Sequence, residues 1–188
     1  MMRLSQAKRS LWEVVQQVSF FQDLPLDCLE LIVEQGFPIT LPPHEYVFWE
    51  QERGDCFFVI LQGQVEMISL AKGRLVKLLQ PGDFFGEIAV LLDTPRSLSV
   101  RTIAPTRLFA IERSTLQQLF LQTPLLATKI TTALCQRWNE LIDMGIFSEK
   151  DRYLSPGEAM QLIYRRIRLV FNNLPPLEPD RFHATIQG

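Results

Sequence analysis

Between Pro81 and Val100 the chain reads Pro-Gly-Asp-Phe-Phe-Gly-Glu-Ile-Ala-Val-Leu-Leu-Asp-Thr-Pro-Arg-Ser-Leu-Ser-Val, and this stretch gathers residue types that can hold an anion. A glycine turn opens onto an apolar run too short for a full helix. The first amide groups of such a run have no carbonyl four residues back and are free to face a negative ligand. Arg96, nine residues beyond Glu87, carries a planar fork that can meet two phosphate oxygens at once, and Ser97 beside it adds a hydroxyl donor. Glu87 lies among these anion-seeking groups, which makes sense if it accepts hydrogen bonds from a sugar hydroxyl on the far side of the same ligand. Phosphate with ribose describes a nucleotide. The competing reading of Glu87 and Arg96 is a structural ion pair on a loop.

The run Phe85-Gly86-Glu87-Ile88-Ala89-Val90-Leu91-Leu92, followed by Thr94-Pro95-Arg96-Ser97, resembles the phosphate-binding cassette of the cyclic-nucleotide-binding domain family. That family includes catabolite-activator-type bacterial regulators, regulatory subunits of cyclic-AMP-dependent kinase and nucleotide-gated channels. The resemblance implies cyclic AMP as ligand, cyclic GMP as the alternative, and no metal. It gives Glu87 the ribose 2′-hydroxyl, and it gives Arg96 the cyclic phosphate, helped by the Ser97 hydroxyl and the backbone amides of Ile88 and Ala89. Gly86 opens the cassette. Leu98 departs from the pattern, standing where the family usually has Ala; it either crowds the pocket wall or repacks a strand. The run from Glu45 through Gly54-Asp55-Cys56-Phe57-Phe58 to Val65 resembles the family's first hairpins, with His44 and Gln51 where the family favours Gly. These two turns are expected to lie outside the cassette. The resemblance covers roughly residues 20–140.

The elements that must position the cassette follow from periodicity. Residues 4–18 read as an amphipathic helix, with Leu11, Val14, Val15 and Val18 on one stripe, and residues 26–35 as a second, with Leu26, Leu29, Leu31 and Ile32 apolar and Gly36 ending it. From Phe37 to Glu112 the texture changes to short β-branched and aromatic runs with turns every eight to twelve residues, the pattern of an antiparallel sandwich or barrel. Strands are expected at 37–41, 46–49, 56–61, 64–70, 75–79, 98–103 and 108–112. The turns fall at Gly54, Gly63, Gly73 and Gly82, each with a glycine for positive φ. Phe57, Phe58, Phe84 and Phe85 are expected in the sandwich core. The fold class is therefore mainly β with flanking helices, a double-stranded β-helix (jelly-roll) sandwich. Its expected division is an N-terminal helix at 1–19, the β-roll at 20–122, a lid or dimer helix at 123–145, and a C-terminal helix with a Pro-rich tail at 146–188.

After the sandwich, residues 114–121 read as a short helix and 123–144 as a longer one ended by Gly145, with Leu126, Ile130, Leu134, Trp138, Leu141 and Ile142 on one stripe. The family resemblance implies that this helix closes over the base and can pair two subunits as a homodimer. By it, Thr131, Thr132, Arg137 or Trp138 could meet the adenine, the tryptophan by stacking and a threonine by hydrogen bond; core packing is the alternative for each. Ser155-Pro156-Gly157-Glu158 forms a capping box for a last helix to about Asn172, with Met160, Ile163, Ile167, Val170 and Phe171 apolar and Arg165, Arg166 and Arg168 at the edge. A helix-turn-helix needs a second helix, and Pro175, Pro176 and Pro179 oppose one. DNA is accordingly not the expected partner. The arginines suit phosphate, an acidic partner or plain solvation.

Composition adds exclusions. A charged fraction of 21% and a formal net charge of −2 give no basic excess for nucleic acid or an anionic membrane. No apolar run reaches the roughly 18 residues of a membrane span, and residues 1–9 lack a secretory core, so a cytoplasmic protein without membrane contact is expected. Cys28, Cys56 and Cys135 are odd in number and far apart, which opposes a disulfide framework, a zinc site and a four-thiolate cluster. His44 and His183 have no metal-ligand neighbours. No nucleophile elbow, Walker loop or dinucleotide fingerprint occurs, so binding without catalysis is expected. The resulting expectation is a cyclic-nucleotide sensor that controls an unidentified protein partner. The alternatives are a transcription regulator with an atypical DNA-binding segment and a scaffold that binds no ligand.

Overall fold

The computed structural model describes residues 6–18, 21, 24–123, 125–148, 156–172 and 174–176. The chain divides into two compact units, Met1–Leu119 and Phe120–Gly188.

The first unit is built around β3 (Cys56–Gln62), in which Phe57, Phe58, Val59 and Ile60 are all buried. Successive strand residues point to opposite faces, so four buried neighbours require cover on both sides. Phe58 and Ile60 enter the interior with Phe48, Val65, Leu79, Phe85, Val100, Leu108 and Ala110. Phe57 and Val59 face the other way, where α1 (Gln6–Gln17) and α3 (Glu87–Leu92) pack on the strand and the Phe21 ring lies 5.9 Å from that of Phe57. Phe57 is thus core beneath helices rather than core between the sheets.

Two four-stranded antiparallel sheets form the sandwich. One runs β1 (Phe37–Leu41), β8 (Thr106–Glu112), β3 and β6 (Phe84–Phe85); the other runs β2 (Tyr46–Phe48), β7 (Ser99–Thr102), β4 (Val65–Ser69) and β5 (Arg74–Leu79). The expected strands all form, with ends shifted by a residue or two. Strand β6 is additional, because two residues are too few to show a period. It pairs Phe85 with Phe58 and leads directly into the cassette.

Several expectations about turns change. Helix α2 spans Leu26–Gln35, but Leu26 is exposed while Cys28 and Val33 join Leu29 and Ile32 inside. Gly36 ends it in extended backbone, φ −75° and ψ 162°, not in a left-handed turn. Glycine is required there for space: a Cβ would stand 2.3 Å from the Phe109 ring. Gly63, Gly73 and Gly82 do take positive φ, whereas Gly54 does not and serves a different purpose described below. His44 and Gln51 keep the turns that glycine would favour, at φ 67° and 72°.

Helix α4 (Arg113–Gln122) contains the boundary between the units. In the second unit α5 (Leu125–Asp143) packs on α6 (Pro156–Val170), burying Leu126, Ile130, Leu134, Leu141 and Ile142 of α5 and Met160, Ile163, Tyr164 and Ile167 of α6. Gly145, at φ 67°, ends α5 and donates to the Ile142 carbonyl at 2.7 Å. Phe171 lies just past the end of α6 and meets Phe120 edge-on at 4.8 Å. The capping residue Ser155 and Pro179 lie outside the described residues. After α6 the chain folds back: the Tyr164 hydroxyl donates to the Pro175 carbonyl at 3.1 Å and Arg168 Nε to the Leu174 carbonyl at 3.0 Å. Among the described residues no helix is long and apolar enough to cross a membrane, and no cluster of His, Cys, Asp or Glu is arranged to hold a metal.

Candidate functional site

Arg96 lies at the centre of the cassette and is only 4% exposed. Its Nη1 donates to the Gly86 carbonyl at 2.7 Å and its Nη2 to the Cys56 carbonyl at 2.6 Å. The guanidinium carbon sits 4.1 Å from the centre of the Phe48 ring, within cation–π range. Two glycines close the cage. A Cβ at Gly54 would lie 2.2 Å from Nη2, and one at Gly86 would lie 2.6 Å from Nη1. Gly86 also needs its left-handed φ of 84° to start α3, so it meets a conformational and a spatial demand together. Gly54 meets the spatial one alone.

Inside this cage Arg96 Nε is buried without a partner. Buried donors are nearly always satisfied, so an orphaned one marks a place where a further acceptor fits. Burial lowers the pKa of the guanidinium, opposed by the nearby acidic groups of Cys56, Glu87, Asp55 and Glu52. Arginine nonetheless remains a cation in proteins. Main-chain carbonyls and a ring face surround it with partial charges, an arrangement that a phosphate oxygen would complete with a full one.

The backbone of Arg96 is held separately. Its N–H donates to the Glu52 carbonyl at 2.8 Å, and its carbonyl accepts from Gln51 N–H at 2.9 Å. The Gln51 turn was expected to lie outside the cassette, but these bonds join it to the cassette's main residue. The left-handed turn at Gln51 places residues 51 and 52 so that both reach the same partner. Glu52 reinforces the turn by accepting from Trp49 N–H through its carboxylate at 2.9 Å.

Helix α3 begins with Glu87, Ile88 and Ala89, all buried, Glu87 being 3% exposed. Asp93 closes the helix in a left-handed conformation, and its carboxylate accepts from Arg113 Nη1 at 2.9 Å. Arg113 N–H donates to the Asp55 carbonyl at 2.7 Å, so the first residue of α4 is bonded both to the end of the cassette helix and to the turn that encloses Arg96. Ser97 is half-buried beside Arg96, and Leu98 is buried just before β7. Burial pushes the half-buried Cys56 thiol up to about 12, with Asp55 and Glu112 adding and Arg96 opposing. Burial likewise raises Cys135 to about 11.

Gly86, Glu87, Ile88, Ala89, Arg96 and Ser97 thus belong to one cassette in the first unit. Thr131, Thr132 and Trp138 lie on α5 in the second unit. Thr131 is fully buried and donates to the Ala127 carbonyl at 2.6 Å. Thr132 donates to the Thr128 carbonyl at 3.2 Å, and the Trp138 ring lies 4.4 Å from that of Phe147. Phe48, Gly54, Glu52 and the Cys56 carbonyl belong to the site although sequence reasoning does not single them out. A main-chain carbonyl leaves no trace in sequence. Gly54 carries a signal, but locally it reads as a demand on φ.

Residues 38–123 match the family model described as cyclic nucleotide-binding domain. Among curated sequences, the chain is 26% identical over 144 residues to a CRP-like cAMP-activated global transcriptional regulator of Mycobacterium tuberculosis, covering 73% of this chain and 64% of that protein. It is 34% identical over 138 residues to a putative potassium channel protein of Rhodopseudomonas palustris, covering 72% of this chain and 33% of that one. The chain therefore spans less than two thirds of these relatives. Among solved structures, the regulatory domain of Toxoplasma gondii PKA with cAMP aligns at TM-score 0.62 and 18% identity, over 87% of this chain and 59% of that one. The sensor domain of the transcriptional regulator DNR from Pseudomonas aeruginosa aligns at TM-score 0.65 and 19% identity, over 80% and 99%. At these identities the structural matches speak for the fold.

Proposed function

We propose that this chain, whose residues 38–123 form a domain of the cyclic nucleotide-binding family, binds a cyclic nucleotide without turning it over and uses the bound state to change a contact with a protein partner in the cytoplasm. The observation that carries the proposal is the caged Arg96 guanidinium with its orphaned Nε. Cyclic AMP is the preferred ligand: the similar Mycobacterium regulator is cAMP-activated, and the Toxoplasma regulatory domain was solved with cAMP. The cyclic phosphate supplies the acceptor that the caged Arg96 guanidinium lacks at Nε, the amides of Ile88 and Ala89 and the Ser97 hydroxyl add donors, and Glu87 accepts from the ribose hydroxyl.

The signal leaves through Arg113. A shift of α3 on binding moves Asp93, and the Asp93–Arg113 bond carries that shift to the first residue of α4. Pro175, Pro176 and Pro179 oppose a helix directly after α6, which supports a protein partner over DNA.

Isothermal titration with cyclic AMP and cyclic GMP tests the reading. Arg96→Ala is expected to weaken binding by about 1.5–3 kcal/mol, the scale of one hydrogen bond to a charged group, which is roughly a 10- to 150-fold rise in Kd. Glu87→Ala is expected to weaken it as well, and the nucleotide recovered after incubation is expected to be intact. The absence of both binding heat and thermal stabilisation at millimolar nucleotide refutes the proposal.

A further inference from the structure

We propose that two copies of this chain associate by setting the acidic face of α2 in one copy against the leucine-centred basic face of α6 in its partner. The large apolar face of α6 is already used: Ala159, Met160, Ile163, Tyr164 and Ile167 are buried. The opposite face is open. Leu162 is 44% and Leu169 75% exposed, seven residues apart and so two turns along one line, with the exposed Arg165, Arg166 and Arg168 beside them. Arg168 spends Nε on the Leu174 carbonyl. Neither Arg101–Glu66 nor Arg113–Asp93 engages any of these three cations.

Helix α2 shows the complement. Cys28, Leu29, Ile32 and Val33 face inward, and the other side presents Asp27, Glu30 and Glu34 with Leu26, which is 65% exposed. Positions 27, 30 and 34 follow the three- and four-residue steps that align side chains on one helix face. These carboxylates likewise have no cation partner among the described residues. The two faces match in length: seven or eight residues, or about 10–12 Å of helix, on each side. They also match in kind, three acids against three arginines, with one exposed leucine on α2 and two on α6.

The leucines argue against nucleic acid, which would use the arginines and leave apolar surface wet. Two leucines are too small an apolar area for a helix lying on a membrane, where the whole hydrophobic face must be available. A second copy supplies the needed acidic helix, with Asp27, Glu30 and Glu34 exposed on α2. This surface is separate from the buried stripe of α5.

Sedimentation velocity on the full chain tests the proposal at about 0.02 M and 0.5 M salt, where the Debye length falls from roughly 20 Å to 4 Å. Self-association is expected at low salt, with at least a tenfold weaker association constant at high salt. Glu30→Arg with Glu34→Arg, and separately Arg165→Glu with Arg166→Glu, are each expected to abolish it. Mixing the two variants is expected to restore it, because each then presents the charge that the other lacks. The milder pair Glu30→Gln with Glu34→Gln is expected to weaken it in part, and unchanged melting temperatures and nucleotide titrations report intact folding. A chain that stays monomeric at low salt, variants that associate like the parent, or a mixture that stays monomeric each overturns the proposal.

Discussion

Gly54→Ala adds one methyl group and removes no polar atom, yet it is expected to disable the cassette. The new carbon would stand 2.2 Å from Arg96 Nη2, 2.3 Å from Cζ and 2.4 Å from Nε. Non-bonded carbon contacts settle near 3.5 Å, so the guanidinium must retreat by about 1.3 Å. A retreat of that size away from the carbonyl stretches the 2.6 Å bond from Nη2 to Cys56 to as much as roughly 3.9 Å, beyond hydrogen-bonding range. Movement elsewhere is restricted by the Phe48 ring, 4.1 Å from Cζ, and by the Gly86 backbone that accepts from Nη1. Losing one charge-assisted bond costs about 1.5–3 kcal/mol. The smaller entropy of an unfolded alanine returns about 0.4–1 kcal/mol, so the variant is expected to lose about 1–2 kcal/mol of stability. Nucleotide affinity should fall by about tenfold or more, because the fork no longer points where the cyclic phosphate arrives. Urea unfolding and titration calorimetry read the two effects. Gly73→Ala is the control: its φ of 59° strains an alanine, but no atom lies within 4 Å, so stability should drop while affinity stays. A Gly54→Ala protein with parental stability and affinity would show that Arg96 moves freely and that the cage is not the determinant proposed.

Other substitutions probe the turn and the thiols. Gln51→Gly and His44→Gly should each stabilise the protein by about 0.5–1 kcal/mol, since a non-glycine residue at positive φ costs about 1–2 kcal/mol and part of the gain is lost to unfolded-chain entropy; thermal melts that fall instead would mean the side chains contribute more than their strain costs. Stability should decline as pH rises above about 9, because the folded state holds the Cys56 and Cys135 protons to about 12 and about 11 while the unfolded thiols have already lost theirs. The folded state then binds more protons than the unfolded one, so the slope of stability against pH is negative in that window. Replacing both cysteines by serine should flatten it, and an unchanged alkaline profile in that variant counts against the assignment.

How much is legible in the sequence depends on chain distance. Gly86, Glu87, Arg96 and Ser97 lie within a dozen residues, and their types and spacing point to phosphate and ribose without knowledge of the fold. The strands are legible for a similar reason, since alternation and turn residues are local. Errors arise where a local rule has a non-local competitor. Gly36 and Gly54 read locally as demands on φ, but the Phe109 ring and the Arg96 guanidinium decide them. Leu26 belongs inside by its type, yet the helix turns it outward. Phe57 is buried as expected but in a different layer, because alternation says that neighbours diverge and not which helices cover the second face.

The sandwich pattern and the identity of the anion-seeking groups follow from neighbours in the chain and can be read there. The way Arg96 is held is set by packing between distant segments. Its cage draws on Phe48, Gly54 and the Cys56 carbonyl, some 40 residues away along the chain, and its backbone is bonded to residues 51 and 52. Burial among those groups leaves the Nε proton without an acceptor, a consequence of packing that the order of residues does not encode locally.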